Sequence, residues 1–140
     1  MATILIIDDE ELILGFLKER LMCEGFNVLT AVDGKEGMNL FNDNQVDLVV
    51  TEMIMPEKEG TETIIEMKKI CPDIKIIAMS GGGFGLPEHY LDTAKYFRAQ
   101  YTFEKPFNPS DLLEAVYELL NEEKLLNFQN SNKTIRHPQI

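Results

Sequence analysis

"VVTEMIMPEKEG", Val49–Gly60, poses the question on which the fold turns. An apolar, β-branched run ends on a carboxylate, Glu52, and a Met55-Pro56 turn follows at once. A run without polar alternation reads as a strand covered on both faces, the habit of parallel sheets. A charge at the tip of such a strand has a natural place, because ligands of open parallel sheets bind outside the carboxyl ends of the strands.

Working outward, the same unit recurs. "TILII" (Thr3–Ile7) is another continuous run. It precedes "ELILGFLKERLMCEG", in which Leu12, Ile13, Phe16, Leu17 and Leu21 fall at helical spacing and Gly25 stands at a C-cap position. "NVLTA" reads as a second strand, and Asp33 as the cap of a helix carrying Met38, Leu40 and Phe41. "VDLVVTE" is the third strand, followed by the helix "TETIIEMKKI", which "CPD" stops. "IKIIAMS" and "YTFE" are strands four and five. "LPEHYLDTAKYFR" and "NPSDLLEAVYELL" are their helices, the latter with Asn108 at the N-cap and Pro109 at the first turn. Five strands alternating with helices predict an α/β fold, a doubly wound parallel sheet with helices on both faces and right-handed crossovers.

Composition sets bounds. A chain of 140 residues with 44% apolar content suits one globular domain. No apolar run approaches the ~20 residues of a membrane span, and "MATILIIDDE" lacks the basic start of a signal peptide. A net charge of −11 argues against direct nucleic-acid binding. Cys23 and Cys71 lack metal or redox spacing and read as small, partly buried thiols of a reducing cytoplasm.

The residues after each strand converge at one end of the sheet. They are Asp8, Asp9 and Glu10 after strand one, Glu52 at the tip of strand three, Ser80 and Gly81-Gly82-Gly83 after strand four, and Lys105-Pro106 after strand five. Clustered acids are costly without a cation, and oxygen donors without His or Cys suit Mg²⁺. A hydroxyl and a fixed ammonium are the pair that holds a phosphoryl group. The glycine loop lacks a phosphate-loop pattern and reads as a flexible segment letting Ser80 move. His89 and Tyr90 read as surface and packing residues.

From Thr3 to Leu120, "IIDDE", "DLVVTEMIMPEKEG", "IIAMSGGG" and "FEKPF" stand in order, and the chain resembles the receiver domain of two-component response regulators. The resemblance implies a flavodoxin-like sheet of order 2-1-3-4-5, with a receiver at residues 1–122 and a helix extension and polar tail at 123–140. It implies a stand-alone cytoplasmic signalling module rather than an enzyme, acting by protein–protein contact. The implied donor is a sensor histidine kinase or phosphotransfer protein, and a downstream protein reads the face of helix four, strand five and helix five. Nucleic acid and membrane have no direct part. For Mg²⁺, the resemblance implies Asp9 as direct ligand, Asp8 acting mainly through water, the Ile54 carbonyl, and the acceptor-position side chain. Ser80 matches the switch hydroxyl, Lys105 the phosphate lysine, and Lys105-Pro106 a cis peptide.

Three positions depart from the family pattern. Glu52 falls on the phosphoacceptor position, normally aspartate. Its extra methylene carries the carboxylate outward by ~1.5 Å, and a ~1 Å misplacement can cost ~100-fold in rate. The expectation is a site that is non-phosphorylatable, or a weak mimic of the phosphorylated state in which Glu52 reaches Lys105 or Ser80. Thr102 takes the place of the usual switch aromatic, with Tyr101 on the opposite face, and Ile54 replaces a common polar side chain. Rival readings are a Mg²⁺-dependent phosphohydrolase with an aspartate nucleophile and an FMN-binding flavodoxin-like protein.

Overall fold

The computed structural model describes residues 1–55, 57–81 and 87–120. The elements alternate as expected: β1 (Thr3–Ile7), α1 (Glu11–Cys23), β2 (Asn27–Ala31), α2 (Gly34–Asp43), β3 (Leu48–Glu52), α3 (Gly60–Ile70), β4 (Lys75–Ser80), α4 (Pro87–Tyr96), β5 (Tyr101–Glu104) and α5 (Pro109–Leu120). The sheet is all parallel, in the order β2-β1-β3-β4-β5. The segment 123–140, Gly82-Gly83 and Pro56 lie outside the described residues.

Strand alternation divides the core into two layers. Ile4 and Ile6 of β1, Leu48 and Val50 of β3, and Ile77 and Met79 of β4 pack against α1 and α5, chiefly through Leu17, Leu21, Leu112 and Val116. Leu5 and Ile7, Val49, and Ile76 and Ala78 point the other way, toward Met38 and Phe41 of α2, Ile64 and Met67 of α3, and Leu91 and Ala94 of α4. The helices thus cover both faces, which is why the strands carry no polar alternation.

The expected punctuation is in place. Gly25, at φ 95°, ends α1. Its N–H donates to the Met22 carbonyl, and the Phe26 N–H donates to that of Leu21; this paired closure favours a residue without Cβ. Asp33 accepts from the Glu36 N–H at 2.8 Å and caps α2. Asn108 accepts from the Ser110 N–H at 2.9 Å at the start of α5.

Two expectations need correction. Leu12 does not join the core face of α1 and is 89% exposed. The helix begins at Glu11, and its buried stripe is Leu14, Leu17 and Leu21, with Ile13 and Phe16 packed beside it. Cys23 is exposed rather than partly buried, while Cys71 is half-buried as the cap of α3. His89 is exposed, and Tyr90 packs against the α2–α4 layer.

Candidate functional site

The strand tips place the chemistry. The Asp8 N–H donates to the Ala31 carbonyl at 3.0 Å, so Asp8 continues the β1–β2 ladder one residue past the strand. Its Oδ1 accepts from the Glu10 N–H at 2.9 Å. This turn, in which an aspartate bonds the backbone two residues on, aims the side chain inward, and Asp8 is fully buried. Asp9, between the two, is exposed.

Glu52 ends β3 and is 4% exposed. Its Oε2 accepts from the Met53 N–H at 2.6 Å and more weakly from that of Ile54 at 3.4 Å. Gly60, at the start of α3, lies against this backbone; a Cβ there would stand 2.5 Å from the Glu52 carbonyl oxygen. Close approach of α3 to the strand tip therefore needs glycine at this position.

Lys105 closes the cluster. Its ammonium donates to Asp8 Oδ2 at 2.7 Å, Glu52 Oε1 at 2.8 Å and Glu10 Oε1 at 3.3 Å. All three N–H donors of the ammonium are thereby used. The peptide bond between Lys105 and Pro106 is cis. Burial opposes the Lys105 charge, but the Asp8 and Glu52 carboxylates outweigh it and hold the lysine above its ordinary pKa. Burial pushes the Asp8 carboxyl upward, and the Lys105 hydrogen bond only partly offsets it. Glu52 is raised for the same reason.

Sequence reasoning placed Asp8, Asp9, Glu10, Glu52, Ser80 and Lys105 at one end of the sheet, and the structure joins Asp8, Glu10, Glu52 and Lys105, while Asp9 is exposed. It gives Glu10, the N-cap of α1, a specific place: its carboxylate joins those of Asp8 and Glu52 within 4.8 Å. The signal was its acidic neighbourhood, but only the Asp8 turn shows that the side chain comes back over the site.

Ser80 stands apart. It is fully buried at the end of β4, and among the described residues its Oγ has no hydrogen-bond partner. Beside it, a Cβ on Gly81 would meet Lys105 Cβ at 2.4 Å. The first glycine of the loop thus has a packing reason, namely room for the lysine stem. Thr102 is half-buried, while Tyr101 and Phe103 stack on the α1–α5 side. Ile54 is half-buried next to Glu52.

Comparison with known proteins agrees with the fold. The response regulator SaeR of Staphylococcus aureus is 32% identical over 129 residues, which are 92% of this chain and 55% of that protein. The transcriptional regulatory protein GlrR of Escherichia coli is 31% identical over 121 residues, 86% of this chain and 27% of that one. The chain therefore spans about half or less of these curated relatives. Among solved structures, a CheY-like response regulator receiver domain protein from Methanospirillum hungatei superposes with a TM-score of 0.80 at 31% identity, covering 89% of this chain and 97% of that one. The response regulator TrrA from Thermotoga maritima, solved in complex with Mg(2+)-BeF, gives 0.75 at 34% identity, covering 85% and 99%. Residues 4–117 match the family model of the response regulator receiver domain. Since that match runs from within β1 to within α5, the chain belongs to the receiver domain family of two-component response regulators.

Proposed function

We propose that this chain is a receiver whose phosphoacceptor position is held by Glu52, and that it signals by protein–protein contact without a stable phosphoryl group. The observation that carries this reading is the engagement of the Glu52 carboxylate. Oε1 is held by Lys105 at 2.8 Å and Oε2 by the Met53 N–H at 2.6 Å. A nucleophile paired this closely with a buried ammonium, and set outward by an extra methylene, is poorly placed for in-line attack. One carboxylate charge also stands where a phosphate would bring nearly two, so mimicry of the phosphorylated state is weak.

Ser80 and Lys105 are the groups that would contact a phosphoryl oxygen. Lys105 is committed to carboxylates, and Ser80 Oγ has no hydrogen-bond partner among the described residues. The donor set fits Mg²⁺, being oxygen-only and acidic: Asp8, Glu10 and Glu52 would hold it, and the family resemblance adds Asp9 and the Ile54 carbonyl. A bound Mg²⁺ neutralises charge that builds on phosphoryl oxygens. Input from a sensor histidine kinase or phosphotransfer protein, and output through the face of α4, β5 and α5, complete the reading. No catalytic turnover is expected of it.

The test is intact mass after incubation with acetyl phosphate and Mg²⁺. The unaltered chain is expected to gain nothing stable and Glu52→Asp to gain one phosphoryl group. A single phosphoryl adduct on the unaltered chain, mapped to Glu52, would overturn the proposal.

A further inference from the structure

β2 is an edge strand, paired only with β1. Where these two strands begin, at the opposite end of the sheet from Asp8 and Glu52, lies an open groove of about 550 Å³. Met22 and Phe26 line it from the end of α1, Val28 and Leu29 from β2, and Asn44 and Gln45 from the turn after α2. Its apolar part is uncovered: Met22 is 53% exposed, and Val28 and Leu29 are only half-buried. The described fold ends beside this groove. The Tyr117 ring of α5 lies 5.5 Å from that of Phe26, and Leu120 packs on the same core layer. Residues 121–140 follow, outside the described residues. They carry three cations, Lys124, Lys133 and Arg136, against two acids, whereas residues 1–120 carry ten against twenty-two. Leu125, Leu126 and Phe128 fall within four consecutive positions of this otherwise polar segment.

We propose that the groove is covered by the chain's own segment 124–128, whose leucines and Phe128 bury Met22, Val28 and Leu29. Reach permits it. Leu125 follows Leu120 by five residues, which extend up to roughly 17 Å, and Tyr117 already touches a residue of the groove. Tethering favours it, since a short link holds a segment near its site at an effective concentration of about millimolar. Charge favours it on the α2 side. α2 ends at Asp43 with no basic residue in its last turn, and Asp47 follows, exposed. A helix C-terminus favours a cation, and Lys124 stands next to Leu125 to supply one. α1 needs none, because Arg20 already occupies its last turn. The docking lies at the strand starts and does not depend on the state of Glu52.

The test is amide exchange and amide spectra of the full chain across a dilution series. The amides of Leu125, Leu126 and Phe128 are expected to exchange at least about tenfold more slowly than those of Thr134 to His137. Leu125→Ser with Phe128→Ser should shift the amides of Met22, Phe26, Val28, Leu29, Asn44 and Gln45, and leave Asp8, Glu10 and Ser80 in place. Met22→Glu, at an exposed position, should keep the fold and abolish the protection of Leu125–Phe128. Leu12→Glu, equally exposed but at the other end of α1, should leave that protection intact. Asp43→Asn should weaken it about twofold. Protection that survives Met22→Glu, as a mere continuation of α5 would give, would overturn the proposal. So would groove amides that ignore the Leu125 and Phe128 substitutions. Protection lost on dilution would assign the groove to a second copy and overturn it as well.

Discussion

The two halves of the strand-tip site differ in how their polar groups are satisfied. In the acid half, Asp8, Glu10 and Glu52 share one ammonium, and backbone N–H groups take remaining oxygens of Asp8 and Glu52. In the hydroxyl half, the buried Ser80 Oγ has no partner among the described residues. The difference teaches where the site is closed and where it still has something to gain. Buried charge is tolerated when it is paired and hydrogen-bonded, and Lys105 provides that pairing within the chain itself. An unused buried hydroxyl costs about 1–3 kcal/mol and is a donor held ready. A carboxylate at Glu52 fastens the first half without reaching the second.

The largest effect is expected from breaking the acid half. Lys105→Met would strand Asp8 and Glu52 in a buried site without their cation. Losses of about 3–5 kcal/mol accompany such single-partner removals, and urea unfolding near neutral pH measures this one. Both carboxyls already lie above their ordinary pKa values because of burial. A group raised on folding contributes stability that is present below its unfolded pKa and lost as pH rises through its folded pKa. Without Lys105 both should rise further, so the deficit of Lys105→Met should shrink on going from about pH 7 to about pH 5. A deficit that grows on acidification would contradict the buried-pair account.

Next in size is the seam between the halves. Gly81→Ala puts a methyl 2.4 Å from Lys105 Cβ. Overpacking of this kind costs about 1–3 kcal/mol, and here it should also displace the lysine, raising the Asp8 and Glu52 pKa values further. Carboxyl titration by NMR checks the second effect, which a merely local clash would leave unmoved.

The smallest change is expected in the hydroxyl half. Ser80→Ala removes a buried oxygen with no partner among the described residues, so stability should hold or rise by about 1 kcal/mol. A loss of that size would mean that Ser80 is engaged after all.

Much of this was legible in the sequence. Short runs of β-branched, aliphatic or aromatic residues located β1, β2 and β5 to the residue, because turn and cap residues bound them closely. β3 and β4 begin later than their apolar patterns, at Leu48 and Lys75, since strand pairing rather than hydrophobicity sets where a ladder starts. The convergence of Asp8, Glu52 and Lys105 followed from topology alone. The inward aim of Asp8 against the exposure of Asp9 did not, since it depends on a turn closed by the Asp8 side chain itself. Glu10 was seen as an acid but not as a partner of Lys105. The glycines after Ser80 read as freedom of movement, whereas Gly81 is required by a close approach that only the packed structure reveals.

The central claim is that Glu52 is fastened by Lys105 and uncoupled from Ser80, so that its charge does not set the switch. Its most direct test is a comparison of amide spectra for the unaltered chain and Glu52→Gln. The account predicts shifts confined to Met53, Ile54, Asp8, Glu10 and Lys105, with Ser80 and the α4 residues Glu88 to Tyr96 unmoved. Concerted displacement of Ser80 and α4 on removing that single charge would contradict it.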